Sequence, residues 1–499
     1  MNSITIHRSG RALIACAAAA MICAASIPGN WAPGDARGAR SSARDAFTER
    51  TAPGTLNVLL APDALCLPGL PHAGRPAGHD GTVTLGGRPA AIKFRITGNP
   101  RAALLELARG SADAVFLPAD ALALYRSSFA SCNPVAFMLA GYSRGAHAVA
   151  SANPRSPFAS SRGLRIACAR GDSGHLMMLH LLEMQGLDPS DVQWVFTMSP
   201  PDAASLFARG GADLCAGDYI SVARAVKRRA SSGIVLTTRD AGSLVPSVFV
   251  TRESFMLRNP RALADFARAW MDESARLAES PETASETLVS VCRISAEESR
   301  ECASRVMFAG IDDNRSVFSG SDRARVPLAF MIEFASLRWE KTLHVRLEAA
   351  ASSLADPAIM GLLAGDARET QRHDRADTPP AVEDWKEPTL LSAPLRLVFE
   401  GKDSVLTGAS RTALRGIALS ARLYERARIL VCRRAEESDR WTNAPAARFA
   451  EITRVLNGEF GIARERIVEG LRCDLVGGSS DTTGGRVDVA LALPSGRDL

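Results

Sequence analysis

The chain has 499 residues, of which 46% are hydrophobic and 23% charged, with a formal net charge of +5. That length is too great for a single hydrophobic core, so two or three domains are expected. The basic excess is spread thinly, its longest block being Lys227-Arg228-Arg229, which gives no footprint for a nucleic-acid partner.

Residues 1–26 read as a secretory signal: His7, Arg8 and Arg11 precede an apolar run from Ala12 to Ala25 and a small-residue exit at Ser26-Ile27-Pro28-Gly29. Residues 27–54 read as a flexible leader, and no later apolar run is long enough to span a membrane. The protein is therefore expected to be exported, the alternative being that this run is kept as an uncleaved membrane anchor. Cutting away the signal leaves eight cysteines, an even number in an oxidising compartment. Cys292/Cys302 and Cys432/Cys473 are the first pairs to test. No Cys-x-x-Cys or His-rich cluster suggests a metal, and no cofactor motif is present.

From Leu56 the pattern alternates strands with helices. Strands are expected at 56–60, 92–96, 114–117 and 135–140, ending respectively at Asp63, Asn99, Asp120 and Tyr142-Ser143. A second series follows: strand 164–169 into Gly171-Asp172-Ser173-Gly174, a helix from His175 to Gln185, strand 192–197 towards Ser199, and strand 214–216 into Asp218-Tyr219. Strands at 234–237 and 245–250 return the chain to the first series, and a helix opening at Asn259-Pro260 carries Leu263, Phe266, Ala267, Trp270 and Leu277 on one face.

One step occurs twice: Ala108-Arg109-Gly110-Ser111-Ala112-Asp113 and Ala208-Arg209-Gly210-Gly211-Ala212-Asp213 each close a helix at a glycine and open a strand. In open α/β sheets ligands bind at the carboxyl ends of strands, so two such units suggest two lobes facing one cleft.

The run Gly163-Leu164-Arg165-Ile166-Ala167, then Gly171-Asp172-Ser173-Gly174-His175 and on to Val192, resembles the second-lobe opening of periplasmic solute-binding proteins of the alkanesulfonate, taurine, nitrate and thiamine-precursor type. The resemblance spans about Thr55 to Val345, and it departs from the family at the long Gly/Pro-rich loop Cys66 to Gly87. It implies an α/β, two-lobed periplasmic-binding-protein fold (type 2), with lobe I at 55–150 and 246–345 and lobe II at 151–245. It further implies a hinge-closing receptor for a small polar organic solute or anion, without bond chemistry, served by an ABC permease. The residues expected to line the cleft are Asp63, Asn99, Asp120, Tyr142, Ser143, Gly171, Asp172, Ser173, Ser199, Asp218 and Tyr219. Gly171 to Gly174, before a helix, is the expected anion cradle. Yet Asp172 and Ser173 are equally ordinary N-caps, and several aspartates pointing inward would repel a dianion and favour an amine-bearing or hydrogen-bond-donating solute.

Gly141-Tyr142-Ser143-Arg144-Gly145 also matches Gly-x-Ser-x-Gly, the nucleophile elbow of α/β-hydrolases, with His175, His180 or His344 as the base. Asn153-Pro154 and Pro157 end any helix after the serine too soon for that elbow, so the enzyme reading is the minor one.

Residues 346–392 read as a helical tail and a linker, the latter densest from Gly365 to Pro388. From 393 to 499 the expected order is strand 395–399, helix 410–424, strand 428–432, helix 446–456, strand 466–470 and strand 486–493. This βαβαββ pattern, with Phe399, Leu406, Asn443, Gly461-Ile462, Arg466-Ile467 and Gly485-Arg486-Val487 as landmarks, resembles a degenerate OmpA-like α+β domain. That family reads a peptidoglycan carboxylate through an Asp and an Arg. Here Cys432-Arg433-Arg434-Ala435 replaces the Asp-bearing turn, leaving Arg448 as the one residue able to bind peptidoglycan. The alternative whole-chain reading is a structural or signalling envelope protein that uses the binding lobe as an interaction surface.

Overall fold

The computed structural model describes residues 54–73, 82–85, 87–154, 157, 163–292, 294–319, 326–363, 389–400, 405–433, 444–469 and 487–494. The expected signal, nearly all of the leader, the linker from 365 to 388, and Cys473 lie outside them, and of Cys292 the side chain is not described.

Seven strands make the first sheet: β1 (Thr55–Leu60), β2 (Thr82–Leu85), β3 (Arg88–Ile96), β4 (Ala114–Pro118), β5 (Pro134–Ser143), β11 (Pro246–Arg252) and β12 (Val306–Phe308), in the order β12-β5-β11-β4-β1-β3-β2. Five make the second: β6 (His147–Ser151), β7 (Arg165–Ala169), β8 (Gln193–Thr197), β9 (Leu214–Asp218) and β10 (Gly233–Thr237), ordered β10-β6-β9-β7-β8. The chain crosses from the first sheet to the second at 144–146 and returns at 238–245. This corrects the lobe boundary expected at 150/151. His147 to Ser151 already runs antiparallel to both β9 and β10 in the second sheet. The segment is small and alanine-rich, so its alternation is faint in sequence; buried neighbours on both sides make it a strand.

Burial explains the strand assignments. All of β5 and β11 is buried between neighbouring strands and covering helices, the setting in which an unbroken apolar run reads as a central strand. The helix Pro260–Glu279 turns Leu263, Phe266, Ala267, Trp270 and Leu277 inward, and the rings of Phe266 and Trp270 pack on Phe249 of β11 at 5.1 and 4.6 Å. The Gly/Pro-rich loop after β1 forms two short 3-10 turns that bury Leu65, Cys66 and Leu70. Gly69 is needed there, because a Cβ would stand 2.7 Å from Leu60 and about as close to Trp270 and Phe94.

The duplicated step has one backbone solution in both lobes. The helix Pro100–Ala108 stops at Gly110 (φ +74°), and the helix Pro200–Ala208 stops at Gly210 (φ +78°). Asp113 then exchanges bonds with Asn57 of β1: Asp113 N–H donates to Asn57 O at 2.8 Å, and Asn57 N–H donates to Asp113 Oδ2 at 2.9 Å. Asp213 does the same with Arg165 of β7, at 2.8 and 3.0 Å. An arginine completes each step by donating to the carbonyls that flank the glycine turn. Arg252 reaches Leu107 O and Ala112 O, and Arg229 reaches Phe207 O and Ala212 O.

The remaining strands, β13 (Thr389–Leu390), β14 (Leu395–Leu397), β15 (Arg428–Arg433), β16 (Ile467–Glu469) and β17 (Val487–Leu493), form a third sheet in the order β13-β17-β15-β16, with β14 also paired to β17. Helices Gly408–Leu423 and Ala444–Arg454 belong to this domain. It rests on the second lobe: Ala393 N–H donates to Met184 O at 2.8 Å, and Gln185 Nε2 donates to Leu391 O at 2.8 Å.

Cys132, Cys168 and Cys215 carry free thiols. Cys168 and Cys215 are buried on adjacent strands of the second sheet, where they pack as small apolar side chains. Burial pushes the Cys215 thiol up to about 12.

Candidate functional site

Four of the expected carboxylates stand at or just beyond the carboxyl ends of strands, two in each lobe. From the first lobe come Asp63 and Asp120. Asp63 is an N-cap that accepts from Leu65 N–H at 2.8 Å; Asp120 lies in the first turn of helix Ala119–Tyr125 and is only 4% exposed. From the second lobe come Asp172 and Asp218, N-caps of helices Ser173–Met184 and Tyr219–Arg228, accepting from His175 and Ser221 N–H. Desolvation dominates the titration of Asp120, Asp172 and Asp63. It raises Asp120 to about 6, and it raises Asp172 to about 8 with Asp120 and Asp218 adding repulsion. Burial also raises Asp63, against the pull of its Leu65 bond and of His147.

His147, at the head of β6, stands between the Asp63 and Asp218 charges, yet burial lowers its pKa more than they raise it. Its ring Nδ1 lies 3.0 Å from Ser143 Oγ, which is itself 2.6 Å from Thr238 Oγ1. Thr238 Oγ1 also accepts from Gly145 N–H at 2.9 Å and His147 N–H at 3.2 Å, so this hydroxyl ties the outgoing crossover to the returning one.

The Gly-x-Ser-x-Gly motif thus leads into the crossover between the two sheets. Ser143 is 3% exposed, and the chain goes on into a strand at His147 with no intervening helix. A nucleophile elbow requires a strand-to-helix turn that presents Oγ. Of the bases considered, His175 is buried with its Nδ1 accepting from Gly171 N–H, and His180 is held near Arg338 and Glu183. His344 is the left-handed C-cap of helix Leu328–Leu343.

The anion cradle is filled by the chain itself. Asp172 takes the free helix amide, and Ser173 Oγ donates to the Asp120 carboxylate at 3.2 Å. Gly174 lets the helix start abut β9, since a Cβ would lie 2.9 Å from Gly217 N. Gly171, at φ +79°, faces Leu124 across the lobes. Ser173 and Asp120 come from different lobes, so their bond closes this side of the cleft. Trp339 reinforces it: the indole N–H donates to Asp120 O at 3.0 Å, and its ring lies 5.3 Å from that of His175. On the other side Tyr219, 8% exposed, lies under the Arg305 guanidinium at 3.3 Å, and Arg224 pairs with Glu298.

Two expected residues are not brought into this group. Asn99 is an exposed cap bonded to Arg101 and Ala102 N–H, and Ser199 caps its own helix and donates to Asp202. Tyr142 is 4% exposed inside β5, paired to β11 and β12. Arg448, expected to meet a peptidoglycan carboxylate, is instead 9% exposed with its guanidinium 5.3 Å from the Phe399 ring, where cation and apolar stem both favour packing. His147, Thr238, Arg305 and Trp339 were not legible as site residues; only the pairing of distant strands and helices places them there. Among the described residues no group of His, Cys, Asp and Glu could hold a metal ion.

Two α/β lobes joined by two crossover segments define the two-lobed periplasmic-binding class of fold. Residues 91–284 match the family model described as NMT1/THI5 like. Among solved structures, the chain is similar to the periplasmic aliphatic sulphonate binding protein SsuA of Escherichia coli (13% identity, 61% of this chain and 92% of that one, TM-score 0.47). It is also similar to the periplasmic nitrate-binding protein NrtA of Synechocystis PCC 6803 (12% identity, 64% and 89%, TM-score 0.46) and to the alkanesulfonate-binding protein SsuA of Xanthomonas axonopodis pv. citri (15% identity, 61% and 99%, TM-score 0.42). No curated protein matches the chain in sequence. No described helix is long and apolar enough to cross a membrane.

Proposed function

We propose that this chain is a solute-binding receptor of an ABC-type import system, and that its solute presents hydrogen-bond donors or a positive charge to the cleft. One observation carries the reading: Asp63 and Asp120 of one lobe and Asp172 and Asp218 of the other stand at strand ends, where Asp120 and Asp218 repel the Asp172 charge and Asp63 and Asp218 both act on His147. Bringing carboxylates together in a desolvated place raises their pKa values, and a bound cation or donor relieves that cost. An anion such as a sulfonate or nitrate would meet the same charges with the opposite result.

The chemistry asked of the site is binding, not bond cleavage. Ser143 and His147 serve the hinge. Export to the periplasm, partnership with a permease, and envelope association through an OmpA-like C-terminal domain complete the proposal. The strand-helix order of residues 395–493 supports the last part, while the packing of Arg448 on Phe399 argues against a peptidoglycan carboxylate at that side chain.

A thermal-shift screen tests the ligand class. Amines, amino acids and pyrimidines should include a compound that raises Tm when present well above its Kd, while sulfonates, phosphate and nitrate should not. Stabilisation by the anions alone would reverse the assignment, and no response across the whole panel would favour the interaction-surface reading.

A further inference from the structure

The C-terminal domain touches the binding lobes where they bend. The two crossovers, 144–146 and 238–245, are the covalent links between the sheets, and any opening of the cleft must change their backbone dihedrals. Glu425, in the turn between helix Gly408–Leu423 and β15, bridges both of them. Its Oε2 accepts from Arg144 Nη1 at 2.7 Å on the outgoing crossover, and its Oε1 accepts from Ser243 Oγ at 3.1 Å on the returning one.

Arg144 is held for this contact from three sides. Its guanidinium lies against Gly242, where a Cβ would come within 2.6 Å of Nη1, its Nη2 donates to Met307 Sδ at 3.6 Å, and its backbone N–H donates to Arg305 O at 2.8 Å. The domain bearing Glu425 is fixed to the second lobe by the Ala393–Met184 and Gln185–Leu391 bonds, and Tyr424 packs its ring 5.6 Å from that of His180. One carboxylate on a body anchored to one lobe therefore spans both links to the other.

We infer that the C-terminal domain is a hinge latch, in which Glu425, by joining Arg144 and Ser243, biases the lobes towards the closed arrangement, so that unseating the domain favours opening and solute release. The inference rests on the hinge-closing receptor reading but not on the identity of the solute. The Arg144–Glu425 pair is partly open to solvent, at 28% and 42% side-chain exposure, so the latch is a modest bias that a partner pulling on the domain can overcome.

The test is single-molecule energy transfer on the full-length chain, with dyes on unnatural amino acids at the exposed positions Lys93 (first lobe) and Arg228 (second lobe), without ligand. Glu425→Ala should raise the open fraction about threefold, the scale of one exposed charge contact. Gly242→Ala, which displaces Arg144, should move it the same way. Arg396→Ala, which breaks the Arg396–Asp488 pair within the same domain, should leave it unchanged. Glu425→Gln keeps the side chain's size and serves if the alanine variant does not fold. Ser173→Ala, which removes the direct bond between lobes at Asp120, reports whether the lobes move at all. An unchanged distribution in the Glu425 and Gly242 variants, with a broadened one in Ser173→Ala, overturns the latch alone. A single closed distribution in every variant overturns the hinge-closing receptor reading, and the latch with it.

Discussion

The two copies of the Arg-Gly-x-Ala-Asp step share a backbone but not an environment. In the first lobe the Asp113 carboxylate has no exposure and its partner Arg252 has 5%, at 3.4 Å; in the second, Asp213 and Arg165 pair at 3.0 Å with 33% and 42% exposure. The first lobe gives both tasks to one residue, since Arg252 satisfies the turn carbonyls and the carboxylate together. The second divides them between Arg229 and Arg165. The difference follows from the neighbouring strand. Beside the first copy, β11 continues to Arg252, and Thr251 Oγ1 donates to Asp113 O at 2.7 Å, whereas beside the second copy β6 stops at Ser151. The same Arg-Gly-x-Ala-Asp step therefore does the same local work at very different electrostatic stakes.

Asp113→Ala should be the most damaging change, because it strands the buried Arg252 charge. A loss of about 3–5 kcal/mol is expected, measured by denaturant unfolding. A loss under about 1 kcal/mol would mean that the two copies are equivalent after all.

The lobes also differ in their cleft carboxylates, since Asp120 receives a bond from Ser173 whereas Asp172 is opposed by Asp120 and Asp218. Both titrate above the usual carboxylate range in the folded chain. Their favourable contribution is thus complete only below about pH 4 and is lost as pH rises through about 6 for Asp120 and about 8 for Asp172. Asp172→Asn retains a competent N-cap and should flatten the fall of Tm between about pH 4 and 8, gaining on the order of 1–2 kcal/mol at the alkaline end after solvent screening. An unaltered Tm–pH curve would show that Asp172 is ordinarily solvated.

The smallest effect is expected from Asp213→Ala. It removes an exposed ion pair and one bond to the Arg165 amide that water can replace, so a cost of at most about 1 kcal/mol should appear in the same unfolding assay. A cost matching that of Asp113→Ala would erase the comparison.

Much of the scaffold was readable before the tertiary structure. Strand runs such as Val115–Leu117, the helix stops at Gly110 and Gly210, and the apolar face of Leu263, Phe266 and Trp270 are periodic or stereochemical signals within a few residues of each other. Several aspartates were legible as strand-end or cap residues, but which of them face one another was not. Asp172 and Asp218 are both N-caps and both in the cleft, whereas Asn99 and Ser199 carry the same local signature and stay outside it. β6 escaped notice because its pattern is small residues rather than alternation, and Arg448 looked available because its packing on Phe399 spans distant sequence.

By itself the sequence determined what depends on neighbours in the chain: α/β class, the duplicated step, its glycine turns, and the carboxylates at the strand ends. Only the tertiary structure decided which carboxylate is buried, that the Ser143 hydroxyl is buried against Thr238 beside a crossover, and that Glu425 meets both crossovers, because burial and charge pairing are set by groups that approach from far away in sequence.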